Sequence, residues 1–212
     1  MTEHVKPQDI EARSFEIIKA ELDAMGISPD PEQDPVIRRA IHTSADFDYA
    51  ETLFFSPDAV RIAKDLMRSG ADVVSDTNMA LTGINKRKLA AYGGSARCYM
   101  ADEDVAAEAN DRGITRASVS MEHAARDARA SGRKTVFAIG NAPTALITLR
   151  EMHDRGIYTP DFVIGVPVGF VNVVEAKELI LETDIPCIVN RGRKGGSNVA
   201  AAIVNAVLYS MG

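Results

Sequence analysis

TVFAIGNAPTALITLREMHDRGIYTPDFVIGV, residues 135–166, holds the pattern that decides the fold. It opens on a short β-branched and aromatic run, TVFAIG (135–140), passes through a helix-length segment and closes on a second such run, FVIGV (162–166). Short apolar runs without polar alternation read as strands buried on both faces. A helical crossover between them sets the two strands parallel.

The same unit recurs on either side. ADVVSD (71–76), SARCYM (95–100) and PCIVN (186–190) complete a set of five strand-like runs, each separated from the next by capped, periodic helical text. Strand, helix, strand, repeated, predicts a three-layer, doubly wound α/β fold with a five-stranded parallel sheet. A flavodoxin-like strand order is the first expectation. Residues 1–70 read instead as a mainly helical N-terminal extension, and the whole chain, 1–212, as a single domain.

In that extension, Pro7 opens a first helix, Ile10, Ile17, Ile18, Leu22 and Met25 form its apolar stripe, and Gly26 stops it. Asp34 and Pro35 read as the cap and first turn of a second helix. SPDAVRIAKDLMRSG (56–70) reads as a third, capped by Ser56. ISPDPEQDP between the first two is the one Pro- and acid-rich joint.

Composition narrows the function classes. The 212 residues are 46% hydrophobic and 25% charged, the balance of a chain that closes a full core. A net charge of −6 argues against a nucleic-acid partner. No long apolar run or basic-then-apolar leader is evident, so neither a membrane span nor export is expected. Cys98 and Cys187 sit in apolar runs, as reduced buried thiols of a cytoplasmic protein do. The four histidines have no metal-ligand spacing, and no protein-bound metal is expected.

In an open parallel sheet, ligands bind beyond the carboxyl ends of the strands. The loops there are SDTN (75–78), GNAPT (140–144), GVPVGF (165–170) and NRGRKGGSN (190–198), which point to Thr77, Asn141 and Arg191 as substrate contacts. Arg191, Arg193 and Lys194 add positive charge suited to carboxylates or phosphates. GRKGGS is not GxxxxGK[ST] and GVPVGF is not GxGxxG, so neither nucleotide fingerprint is present.

On the second helix, Val36, Ile37, Ala40 and Ile41 share one face while Arg38, Arg39 and His42 lie opposite. That places His42 either in solvent or at a ligand cleft, with Arg39 one turn back to hold an anion. An imidazole there can give or take a proton near neutral pH. Ser14 interrupts the first helix's stripe, so its hydroxyl either bonds back to the Ile10 carbonyl or faces a ligand. His123 and His153 stand in charged helical text and read as solvated; His4 falls in a loose terminus.

IEARSFEII (10–18), VIRRAIHTSADFDY (36–49), SDTNMALTGI (75–84), ASVSMEHAA (117–125), FAIGNAPTAL (137–146), GVPVGFVNVVEAKE (165–178) and PCIVNRGRKGGSNVAAAIVNAV (186–207) together closely resemble the precorrin-8X methylmutases of cobalamin biosynthesis. The resemblance runs in order along nearly the whole chain. It implies a flavodoxin-like fold, a homodimer, and an isomerase that moves a methyl group between neighbouring carbons of ring C of precorrin-8X, or of cobalt-precorrin-8. The product is then hydrogenobyrinate or cobyrinate, held firmly for hand-over to the next pathway enzyme. The family's active-site histidine falls on His42 in IHTSAD, and its substrate-contacting serine and arginine fall on Ser14 and Arg39. No cofactor is implied, because the methyl never leaves the molecule. The competing readings are a non-catalytic tetrapyrrole carrier using the same cleft and a phosphate-dependent enzyme using NRGRKGGSN.

Overall fold

The computed structural model describes residues 6–212, so His4 lies outside the described residues. Among the described residues one six-stranded sheet forms. All five expected runs are strands: β2 (Asp72–Ser75), β3 (Ala96–Arg97), β4 (Thr135–Ile139), β5 (Phe162–Gly165) and β6 (Cys187–Asn190). The five are mutually parallel and run β6-β5-β4-β2-β3 across the sheet.

The expected count of five is corrected by β1 (Leu53–Phe55), which pairs antiparallel with β6 through Leu53↔Asn190, Phe54↔Val189 and Phe55↔Ile188. Three residues are too short to show a period of two, and only the exposed edge of β6 makes them a strand. Ser56 continues this pairing rather than capping a helix: its amide donates to the Cys187 carbonyl and its hydroxyl accepts from the Cys187 amide. The following helix, α4 (Ala59–Arg68), therefore starts later, behind Asp58 at φ 57°.

Strand β4 shows why the sheet needs cover on both sides. Val136 and Ala138 enter one apolar cluster, Phe137 and Ile139 the other, and all four are fully buried. The first cluster is closed by α1 (Ile10–Ala24), α2 (Asp34–Ser44), α4 and α11 (Ser197–Tyr209). The second is closed by α7 (Glu103–Arg112), α8 (Arg116–Ser131), α9 (Pro143–Asp154) and α10 (Val173–Leu181). Short helices α3 (Tyr49–Thr52), α5 (Asn78–Gly83) and α6 (Lys86–Ala91), with a 3-10 turn at Pro7–Asp9 ahead of α1, complete the order.

Other expectations change in detail. Asp34 is the first helical residue of α2 rather than its cap, with Gln33 before it, and its carboxylate pairs with Arg38. Of the stripe read on α1, Ile18 and Leu22 are buried, whereas Ile10, Ile17 and Met25 remain exposed. The helix packs mainly against α2. His123 is buried rather than solvated, its Nε2 2.9 Å from Glu108 Oε2. His153 is half-buried, between the Thr159 hydroxyl and Asp184. Charged neighbours in sequence mislead for His123, because α8 is covered by both α7 and α9 and only the side of Arg126 and Arg129 is left to solvent. No helix of the described residues is long and apolar enough to cross a membrane.

Candidate active site

A cleft of about 830 Å³ lies along α2, α5 and α11, from Asn78 and Asn198 after β2 and β6 to Tyr209 at the end of α11, with the start of α1 at its rim. His42 and Arg39 both line it. The amphipathic pattern of α2 accounts for this: Val36, Ile37, Ala40 and Ile41 are buried against the core, which turns the opposite face outward. The helix ends just beyond His42, where Ala45 at φ 53° donates its amide to the Ile41 carbonyl. His42 thus sits in the last turn of the helix, next to carbonyls that have no partner within it.

Phe15 on α1 organises both side chains. Its ring stacks on the His42 imidazole at 5.1 Å and 22°, and the Arg39 guanidinium lies 4.6 Å from the same ring centroid. Tyr209 at the end of α11 flanks Arg39 from another side, at 5.3 Å. The guanidinium is held among aromatic faces and also pairs with Glu11.

Small and apolar residues make up part of the cleft lining. Ala201 and Ala202 of α11 meet Gly83 of α5 there, where a Cβ on Gly83 would stand 2.8 Å from the Ala201 Cβ. Thr43, Asn78, Thr82 and Asn198 supply polar groups at its edges. Asn205 is already committed, accepting from the Asn85 amide and donating to the Gly83 carbonyl.

The strand-end loops divide sharply between lining and support. Thr77 caps α5 by accepting from the Ala80 amide and bonds the Ser197 hydroxyl at 2.8 Å, so it ties together the two helices whose neighbouring Asn78 and Asn198 line the cleft. Asn141 is exposed, and its amide, with those of Gly140 and Ala142, donates to the buried Asp76 carboxylate at 2.6–2.9 Å. Burial pushes the Asp76 pKa up, against the pull of those three donors. Arg191 stacks on Phe54 at 5.3 Å and Arg193 on Phe170 at 5.4 Å. Neither lines the cleft with His42.

The basic loop is also not the free cationic cluster its sequence suggests. Lys194 is spent on Asp46 and Asp48, both at 2.6 Å, which fastens HTSADFDY to NRGRKGG. That ion pair raises the Lys194 pKa and lowers that of Asp46. Lys177, fully buried, donates to the Gly192 and Lys194 carbonyls at 2.7 and 2.8 Å. Gly195, at φ 158°, lies so close to Val166 that a Cβ would stand 2.0 Å from its carbonyl oxygen. Ser14 takes the local option: its hydroxyl donates to the Ile10 carbonyl at 2.8 Å, and it is not among the residues lining the cleft.

A family model described as precorrin-8X methylmutase matches residues 9–210. The chain belongs to that family. It is similar to the cobalt-precorrin-8 methylmutase of Salmonella typhimurium (strain LT2), 44% identical with 97% of this chain and 96% of the other covered. It is 43% identical to that of Priestia megaterium, covering 96% and 88%. The precorrin-8X methylmutase of Pseudomonas aeruginosa is 38% identical, with 94% of both chains covered. A crystal structure of precorrin-8X methylmutase from Thermus thermophilus superposes with a TM-score of 0.84 at 35% identity, covering 96% of this chain and 97% of that one. The protein is a methylmutase, an isomerase of cobalamin biosynthesis.

Among the residues that line or shape this cleft, the sequence did not single out Asn78, Asn198, Tyr209, Glu11, Thr82 or Phe15, nor Lys177, which fastens the loop after β6. Asn78 and Asn198 lie inside SDTN and GGSN, so the fold rule located their loops without choosing them. Lys177 carried a clear signal, because Val173, Ala176, Lys177 and Ile180 share the buried stripe of α10 and a lysine in that stripe needs buried acceptors. Tyr209 carried none.

Proposed function

We propose that this methylmutase converts precorrin-8X, or its cobalt-containing counterpart, to hydrogenobyrinate or cobyrinate by moving one methyl group between adjacent carbons of ring C, with His42 as general acid. The observation that carries the reading is the placing of His42 and Arg39 together on one cleft, beside the small apolar side chains Ala201 and Ala202. A macrocycle with acetate and propionate arms needs apolar faces, a cation for a carboxylate and neutral donors for the others.

In this mechanism Arg39 binds one carboxylate, and Asn78, Thr82 and Asn198 hydrogen-bond others along the rim. His42, protonated, donates to the ring C nitrogen and draws electron density inward, which eases a 1,5-sigmatropic methyl shift. The proton returns when the shift is complete, so nothing is consumed. In this reading Thr77 acts by positioning Asn78 and Asn198, and Asn141, Arg191 and Ser14, which lie off the cleft in the free protein, are brought onto the substrate's arms when it binds. The parallel-strand order, 2-1-3-4-5 when those five are numbered among themselves, supports a flavodoxin-like fold over one domain, 1–212. Buried thiols at Cys98 and Cys187 support a cytoplasmic setting, a second copy completes a homodimer, and the product passes directly to the next pathway enzyme.

The test is a single-turnover absorbance experiment with precorrin-8X and, separately, cobalt-precorrin-8. Conversion of either supports the reading and identifies the natural substrate. Tight pigment binding with no spectral conversion of either would replace it with a carrier.

A further inference from the structure

We propose that Glu11 is a resident competitor for the substrate: in the free protein its carboxylate occupies Arg39, and a carboxylate of the bound pigment displaces it. The inference deepens the functional reading above and rests on it. Among the described residues lining the cleft, Arg39 is the one guanidinium or ammonium and Glu11 the one carboxylate, and the two are paired.

The two partners differ in how they are held. The Arg39 side chain is 19% exposed and fixed between Phe15 and Tyr209, whereas that of Glu11 is 60% exposed. Glu11 also lies in the first turn of α1, where the helix dipole favours its charge without Arg39. Displacing it costs little, while the anchor stays in place. The exchange leaves the guanidinium paired before and after binding, so a ligand without a carboxylate at this position must either leave Glu11 in the cleft or leave Arg39 with no anion. Glu11 therefore makes the site select for a carboxylate arm. Substrate and product carry the same arms, so both feel the competition equally.

The experiment measures Kd for the corrin product and kcat/KM for the substrate in wild type, Glu11→Gln, Arg39→Gln and the double variant. Glu11→Gln is expected to lower the product Kd and raise kcat/KM by the same factor, about two- to fivefold, the range of an exposed ion pair. In the Arg39→Gln background the same change is expected to do nothing, because the contested anchor is gone. Glu11→Asp should fall between wild type and Glu11→Gln. An unchanged or weaker affinity in Glu11→Gln, with wild type binding and turning over, overturns the inference and leaves the functional reading standing. A gain that persists undiminished without Arg39 overturns it too, since that is simple repulsion between Glu11 and an anionic ligand. Failure of wild type to bind either pigment removes the functional reading and the inference with it.

Discussion

His42 and Arg39 stand one helical turn apart on α2 and share a single aromatic platform, Phe15. A stacked imidazole keeps its orientation while its edge stays open to a ligand, which is what a proton donor to a fixed nitrogen requires. Replacing His42 by Ala is expected to slow single turnover by about 10²- to 10⁴-fold while product still binds. Stopped-flow absorbance under single-turnover conditions checks this; full turnover in the variant would remove His42 from the chemistry. Ser14 and His123 show how far single residues were readable. Both options for Ser14 were visible in its position, and the back-bond to Ile10 is the one formed. His123 read as solvated because its neighbours in sequence are charged, but its neighbours in space are Glu108 and Tyr99 on other segments.

At the scale of elements, the cleft depends on two loops held by buried charges. Asp76 fastens the loop after β4, and Lys177, from α10, fastens the loop after β6. Burial lowers the Lys177 pKa from 10.5 to about 8. Between those values the unfolded chain holds a proton that the folded chain has released, so this group's contribution to stability rises with pH and is complete above 10.5. The neutral amine still has two N–H donors for the Gly192 and Lys194 carbonyls. Urea melts of wild type and Lys177→Met, at steps from neutral pH upward, are expected to show a stability difference that moves in favour of wild type through that window. The change amounts to about 3 kcal/mol at most. Taking the difference cancels other alkaline titrations, including Cys187, which burial pushes up to about 11. A pH-independent difference would mean that the ammonium is not desolvated.

For the whole molecule, the most exposed large apolar side chains include Phe170 and Val171, at 81% and 76%, with Met79 at 72% on the cleft lining. Exposed apolar groups of this size suit burial at an interface, and a second copy is the occupant the proposed homodimer supplies. Sedimentation equilibrium is expected to return twice the 22.9 kDa chain mass, and the pair Phe170→Asp with Val171→Asp is expected to shift the population toward monomer. A wild-type mass of one chain at micromolar concentration would remove the dimer.

Apolar runs and their spacing determined the five parallel strands, the helical crossovers and the outward face of α2, because burial on two faces, burial on one face and full exposure each leave a distinct period in the chain. The motif order determined the family, and the fold rule for open sheets located the loops at the site. Tertiary structure alone decided which charges remain available. Asp46, Asp48 and Lys194 satisfy one another, and Arg39 is met by Glu11 from 28 residues away. It also decided that Leu53–Phe55 is a strand and that Ser56 serves β6. Each of these outcomes depends on a partner distant in sequence, and neither periodicity nor local propensity carries the identity of a partner that only folding brings near.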